Sequence, residues 1–149
     1  MRPKTLLLGA LAYLLVTFPL AFVWHLVIFK DLYQWLGIYR EDPIVPLGFL
    51  VILTQGLLLS YAFPIFYRDG SSLKEGLKFG LFMGLFLWSS QVVAAAAKHH
   101  LASLSTWLAI ETAYFAIQFA LVGLAIGLVY RGRESPALAS SEEATHGVR

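Results

Sequence analysis

At 149 residues the chain has the length of one domain, yet 58% of it is hydrophobic and only 13% charged, with a mean hydropathy of +0.71. So short a chain cannot bury that much apolar surface within itself, which excludes a soluble helical fold. It contains no cysteine, so disulfides, thiolate nucleophiles and cysteine-ligated metals are excluded. The net charge of +2 sits on basic residues beside apolar runs and offers no nucleic-acid-binding patch.

The first apolar run covers Thr5–Phe29. Arg2 and Lys4 ahead of it imitate a secretory signal, but the run is about twice the usual 7–15-residue signal core and has no clear small-x-small cleavage site. It reads as a first membrane span. Asp31-Leu32-Tyr33-Gln34 then resembles a capping box, predicting a short helix through Tyr39 whose Tyr33, Trp35 and Tyr39 suit the membrane–water interface. Pro43 and Pro46 mark the start of a second run, Val45–Phe66.

Asp69-Gly70 predicts a turn, and Ser72-Leu73-Lys74-Glu75 a cap for the third run, Leu77–Ala97. Lys98-His99-His100 opens a tight connection to the fourth, Leu104–Tyr130. Each run has the ~20 residues that a helix needs to cross a hydrocarbon layer about 30 Å thick at 1.5 Å per residue. The expected fold is all-α: four transmembrane helices in an up-down bundle over residues 1–131, followed by a disordered tail over 132–149.

Arg2, Lys4, Arg68, Lys74, Lys78, Arg131 and Arg133 fall on one side of that arrangement; only Lys30, Arg40 and Lys98 fall on the other. The bias places both termini in the cytoplasm. Phe18, Phe22 and Trp24 recur as Phe82, Phe86 and Trp88, and Gln55, Tyr67 and Arg68 as Gln118, Tyr130 and Arg131, at one nearly constant offset. That pattern fits either a duplicated hairpin or chance in a chain rich in Leu, Phe and Ala. Pro19 and Pro64 predict kinks in the first two spans.

Helices in lipid associate through close packing, which small residues permit. The third span carries Gly76, Gly80 and Gly84, and the fourth a stripe of Ala109, Ala113, Ala116, Ala120, Gly123 and Gly127. These suit packing within the bundle or a homodimer seam.

Glu111 is the leading candidate for a functional group. A carboxylate at the centre of a span costs about 2.5–3.5 kcal/mol on insertion scales. Glu111, Tyr114 and Gln118 share one helix face, opposite the small-residue stripe. By depth, His25, Gln55 and Gln91 belong to the same half of the bundle, so the expectation is a polar cluster of His25, Gln55, Gln91, Glu111 and Gln118 with Trp24 and Trp88 beside it. Such a cluster would serve as a proton or cation relay, or as hydrogen bonds that fix helix register. His99 and His100 diverge by about 100° on a helix and read as interfacial residues. No catalytic, metal-binding or cofactor motif is present.

Trp24-His25, Phe29-Lys30 and Trp35-Leu36-Gly37, with the glycine-bearing third and fourth spans, resemble a family of small bacterial four-helix inner-membrane proteins grouped as a domain of unknown function. The resemblance covers roughly residues 5–131 and implies membrane location and fold, with no activity to carry over. The expected role is a structural or accessory bundle, homodimeric or part of a larger membrane complex. The alternatives are a small transporter or channel coupled through Glu111, and a membrane-embedded enzyme using His25 and Glu111 on a lipid or quinone.

Overall fold

A computed structural model describes residues 3–40, 42–66 and 72–131, and all regular structure in them is helical. Helix α1 (Pro3–Val23) runs on into a π-helical turn (Trp24–Ile28), followed by the short α2 (Lys30–Leu36). Helix α3 spans Val45–Phe66. Helix α4 (Ser72–Trp88) passes through a second π-helical turn (Ser89–Val93) into α5 (Ala94–Lys98), and α6 covers Leu104–Tyr130. Four of these segments, Pro3–Ile28, Val45–Phe66, Leu73–Lys98 and Leu104–Tyr130, are long and apolar enough to cross a membrane. The expected Asp69-Gly70 turn, the cap at Ser72 and the tail lie outside the residues or side chains described.

Two local expectations need correction. Asp31 and Gln34 form no capping box: Phe29 is the residue ahead of α2, and its side chain makes no cap bond. The helix also stops at Leu36 rather than Tyr39, because Gly37 takes φ 77° and its N–H turns back to the Gln34 carbonyl at 3.1 Å. A cap the sequence reading missed is Ser103, whose hydroxyl accepts from the Thr106 amide at the start of α6. Pro19 and Pro64 both lie inside continuous helices.

Helix α6 is the hub. In its most apolar stretch 44% of residues are buried, against 22% in each of the other three segments, whose leucines and phenylalanines (Leu15, Leu58, Phe82, Leu85) face outward. Helix α4 packs most extensively on α6, and α1 packs on both α3 and α6, whereas α3 and α4 scarcely meet. The loops flanking α2 and α6 lie at one end, tied by the Ala102 amide donating to the Leu36 carbonyl at 3.3 Å.

Glycines set the α4–α6 contact. A Cβ on Gly76 would strike the carbonyl oxygen of Gly123 and come 2.8 Å from the Gly127 Cα. One on Gly80 would strike the Phe119 carbonyl oxygen and lie 2.7 Å from the Gly123 Cα. One on Gly84 would fall 2.6 Å from the Phe119 Cβ. The predicted small-residue stripe is thereby divided: Gly123 and Gly127 are buried, Ala120 is half-buried, and Ala109, Ala113 and Ala116 are exposed. Helix α4 crosses one half of α6 and leaves the other half of the stripe open.

At the end opposite α2, a second device holds α3. Pro64 has no N–H, so it cannot donate to the Ser60 carbonyl one turn earlier. The buried Tyr130 hydroxyl of α6 does so instead, at 2.7 Å, while the Ser60 hydroxyl donates to the Leu6 carbonyl of α1 at 2.9 Å. Tyr130→Phe strands a buried acceptor and is expected to lower stability by about 1–2 kcal/mol, measured as reduced melting temperature in detergent. Wild-type melting in that variant would show that the bond contributes nothing.

Candidate functional site

Glu111 lies on the inward face of α6 and is 3% exposed. Its Oε1 accepts from the Tyr33 hydroxyl at 2.6 Å and, more weakly, from the Tyr39 hydroxyl at 3.4 Å. Tyr33 is itself buried and accepts from the Trp24 indole N–H at 3.2 Å. A directed series therefore runs from indole to phenol to carboxylate. Burial chiefly, then the hydrogen bond to Glu111 and its charge, raise the Tyr33 hydroxyl well above the ordinary tyrosine range. Burial and the same carboxylate do likewise for Tyr39. Both phenols thus remain donors.

His25 Nε2 stands 3.5 Å from Glu111 Oε1. Its Nδ1 is 3.0 Å from the Ala21 carbonyl, which can only accept, so Nδ1 carries a hydrogen. The state of the pair then turns on one further proton. Placed on Nε2, it makes an imidazolium with Glu111 as counter-ion; placed on Glu111, it faces a free imidazole nitrogen. Three phenol rings enclose the imidazole: Tyr114 at 4.5 Å, Tyr33 at 4.8 Å and Tyr39 at 5.7 Å between ring centroids.

The local folding explains the convergence. His25 sits in the π-helical turn that ends α1, a wide turn of the kind that re-aims side chains at functional sites. Gly37 ends α2 early enough for the chain to fold back, which stacks Tyr39 on Tyr33 with centroids 4.8 Å apart. Tyr33 and Leu36, three residues apart, bury one face of α2 over the site. The fully enclosed Trp107 stacks edge-on to both tyrosines and donates its indole N–H to the Val92 carbonyl in the second π-helical turn.

The predicted cluster is only partly assembled. His25, Glu111 and Trp24 come together. Gln55 and Gln118 belong to a separate layer deeper in the bundle: Tyr13 donates to Gln55 at 2.7 Å and Gln118 to Thr17 at 3.3 Å. Gln91 is exposed and away from the site, and Trp88 donates instead to Thr112 at 3.0 Å. The second π-helical turn contains Gln91 and shifts its facing from that of a regular helix. Tyr33 and Tyr39 are site residues that the sequence reading placed at the membrane interface. Among the described residues no three His, Asp or Glu side chains are grouped to hold a metal ion.

A groove adjoins the site. Beside the Phe18–Phe49 edge contact, α1 and α3 border an open groove of about 530 Å³ lined by Phe18, Phe22, Ile44, Val51 and Ile52, with His25, Tyr39 and Arg40 as polar members of its lining. His25 and Tyr39 thus face both the groove and Glu111.

No family model, curated protein or solved structure matches this chain.

Proposed function

We propose that the chain is an integral protein of a bacterial inner membrane, an up-down bundle with both termini cytoplasmic, that acts as a small proton-linked transporter or channel with Glu111 as its coupling residue. The observation that carries this reading is the buried carboxylate of α6 set against His25, with one proton to share between them and two phenol donors fixed on it. An ionisable group held inside a membrane-length helix is expensive, and such groups mark ion or proton paths.

Two further polar layers support it. Below Glu111 lies the Tyr13–Gln55 and Thr17–Gln118 layer, and below that the Ser60–Tyr130 layer. The lower two lie where α1, α3 and α6 meet, and the Glu111 layer lies where α2 and the turn after α1 meet α6, so hydroxyl and amide groups recur from one end of the bundle towards the other. The positive-inside bias supports the orientation, and the Ala102–Leu36 bond at the α2 end supports the alternation of the helices.

The test is proton uptake into proteoliposomes carrying a trapped pH dye after an external acid jump. The wild type is expected to exceed protein-free vesicles, and Glu111→Gln to fall to their level while remaining folded. Equal uptake by both proteins would defeat the reading.

A second reading, the accessory bundle, is favoured by the exposed Ala109, Ala113 and Ala116, which leave one face of α6 narrow enough to seat a helix from a second copy or a larger membrane complex. In that case Glu111 fastens α1, α2 and α6 together and moves no proton.

A further inference from the structure

We propose that the groove between α1 and α3 is a binding site for one anionic phospholipid, whose acyl chain fills the cavity while Arg40 holds the headgroup phosphate. This goes beyond the proton-linked reading and rests on it only for the chain being embedded in a membrane.

Three observations carry it. The cavity volume of about 530 Å³ falls inside the roughly 300–1,000 Å³ of sites that enclose small ligands. Its walls are aliphatic and aromatic along the α1 and α3 sides, a lining that suits hydrocarbon and offers little to a polar solute. Its polar side chains, Arg40, His25 and Tyr39, come from the end of the first span and the loop after α2. Among the described residues no carboxylate pairs with Arg40.

An apolar slot headed by a guanidinium that no described carboxylate pairs complements a molecule with a tail and an anionic head. A guanidinium also takes phosphate oxygens in pairs, a geometry that an ammonium does not offer. Because His25 and Tyr39 line the groove and also touch Glu111, an acyl chain in the groove closes the lateral approach to the carboxylate.

Gly48 provides a clean probe. It lines the groove, and a Cβ there meets nothing within 4 Å, so a larger side chain enters the cavity without displacing backbone. The experiment is native mass spectrometry of the detergent-solubilised chain titrated with dioleoyl phosphatidylglycerol, dioleoyl phosphatidylcholine or oleate. Wild type should retain one phosphatidylglycerol per chain, with about fivefold preference over phosphatidylcholine, as expected for one charge-assisted contact. Arg40→Gln should erase that preference. Gly48→Leu should weaken both phospholipid adducts about fivefold while melting with the wild type.

Equal retention of the two phospholipids by wild type, or an undiminished adduct in Gly48→Leu, would overturn the proposal. So would oleate displacing phosphatidylglycerol at equal concentration, which would make the occupant a free fatty acid. The readout involves no proton flux. Loss of uptake in Glu111→Gln with no lipid preference would defeat the lipid site alone, and the converse would defeat the coupling role alone.

Discussion

Gly80→Leu is expected to cost about 3 kcal/mol of stability, at the upper end of the range for overpacking. The reason is that the obstacles are immovable. The new Cβ meets the Phe119 carbonyl oxygen and the Gly123 Cα, both backbone atoms of the facing helix, before the rest of the side chain is even placed. A rotamer change cannot relieve this, so α4 must move off α6 along the contact that includes Gly76 and Gly84. Melting followed by tryptophan fluorescence in detergent measures the loss. Gly48→Leu serves as the matched control, because the same chemical change into open space should stay within about 0.5 kcal/mol. Similar melting of the two variants would mean that α4 and α6 do not meet through their glycines.

Glu111→Ala is the second large effect, expected to cost about 3 kcal/mol, as breaking a buried pair by removing one partner does. The substitution strips the buried Tyr33 hydroxyl of its acceptor and removes the carboxylate oxygen 3.5 Å from the half-buried His25 Nε2. Glu111→Gln should cost only about 1 kcal/mol, since an amide oxygen can still accept from Tyr33. Tyr33→Phe added to Glu111→Ala should cost little more than Glu111→Ala alone, because the donor that would be stranded is gone. Strict additivity in that double-mutant cycle would show that the two groups do not interact.

The membrane-length helices were legible because length and apolar content decide them almost alone, and the fourth run begins and ends where α6 does. Glu111 was legible for a related reason: a single carboxylate in an otherwise apolar helix has few solvated places to go. Pairing it with His25 required only depth, which follows from counting residues inward from the helix ends. Facing was harder. Regular helical spacing assigns Gln91 to the Gly80 and Gly84 side, but the π-helical turn at Ser89–Val93 changes the angle per residue and leaves Gln91 exposed. Tyr33 and Tyr39 escaped notice because aromatic residues beside a span are equally well explained by the membrane interface. The stripe on α6 was visible as a stripe, but the point at which α4 leaves it depends on crossing geometry that one helix cannot encode.

Among the described residues α3 and α4 face each other through phenyl rings, with Phe63 and Phe79 at 5.3 Å and Phe66 and Phe79 at 5.6 Å between centroids. Rings slide where hydrogen bonds would catch. A loop of four staves usually resists twisting through every joint between them. Here three joints carry side-chain hydrogen bonds and the described contacts of the fourth are ring contacts, so twisting is expected to open that one first.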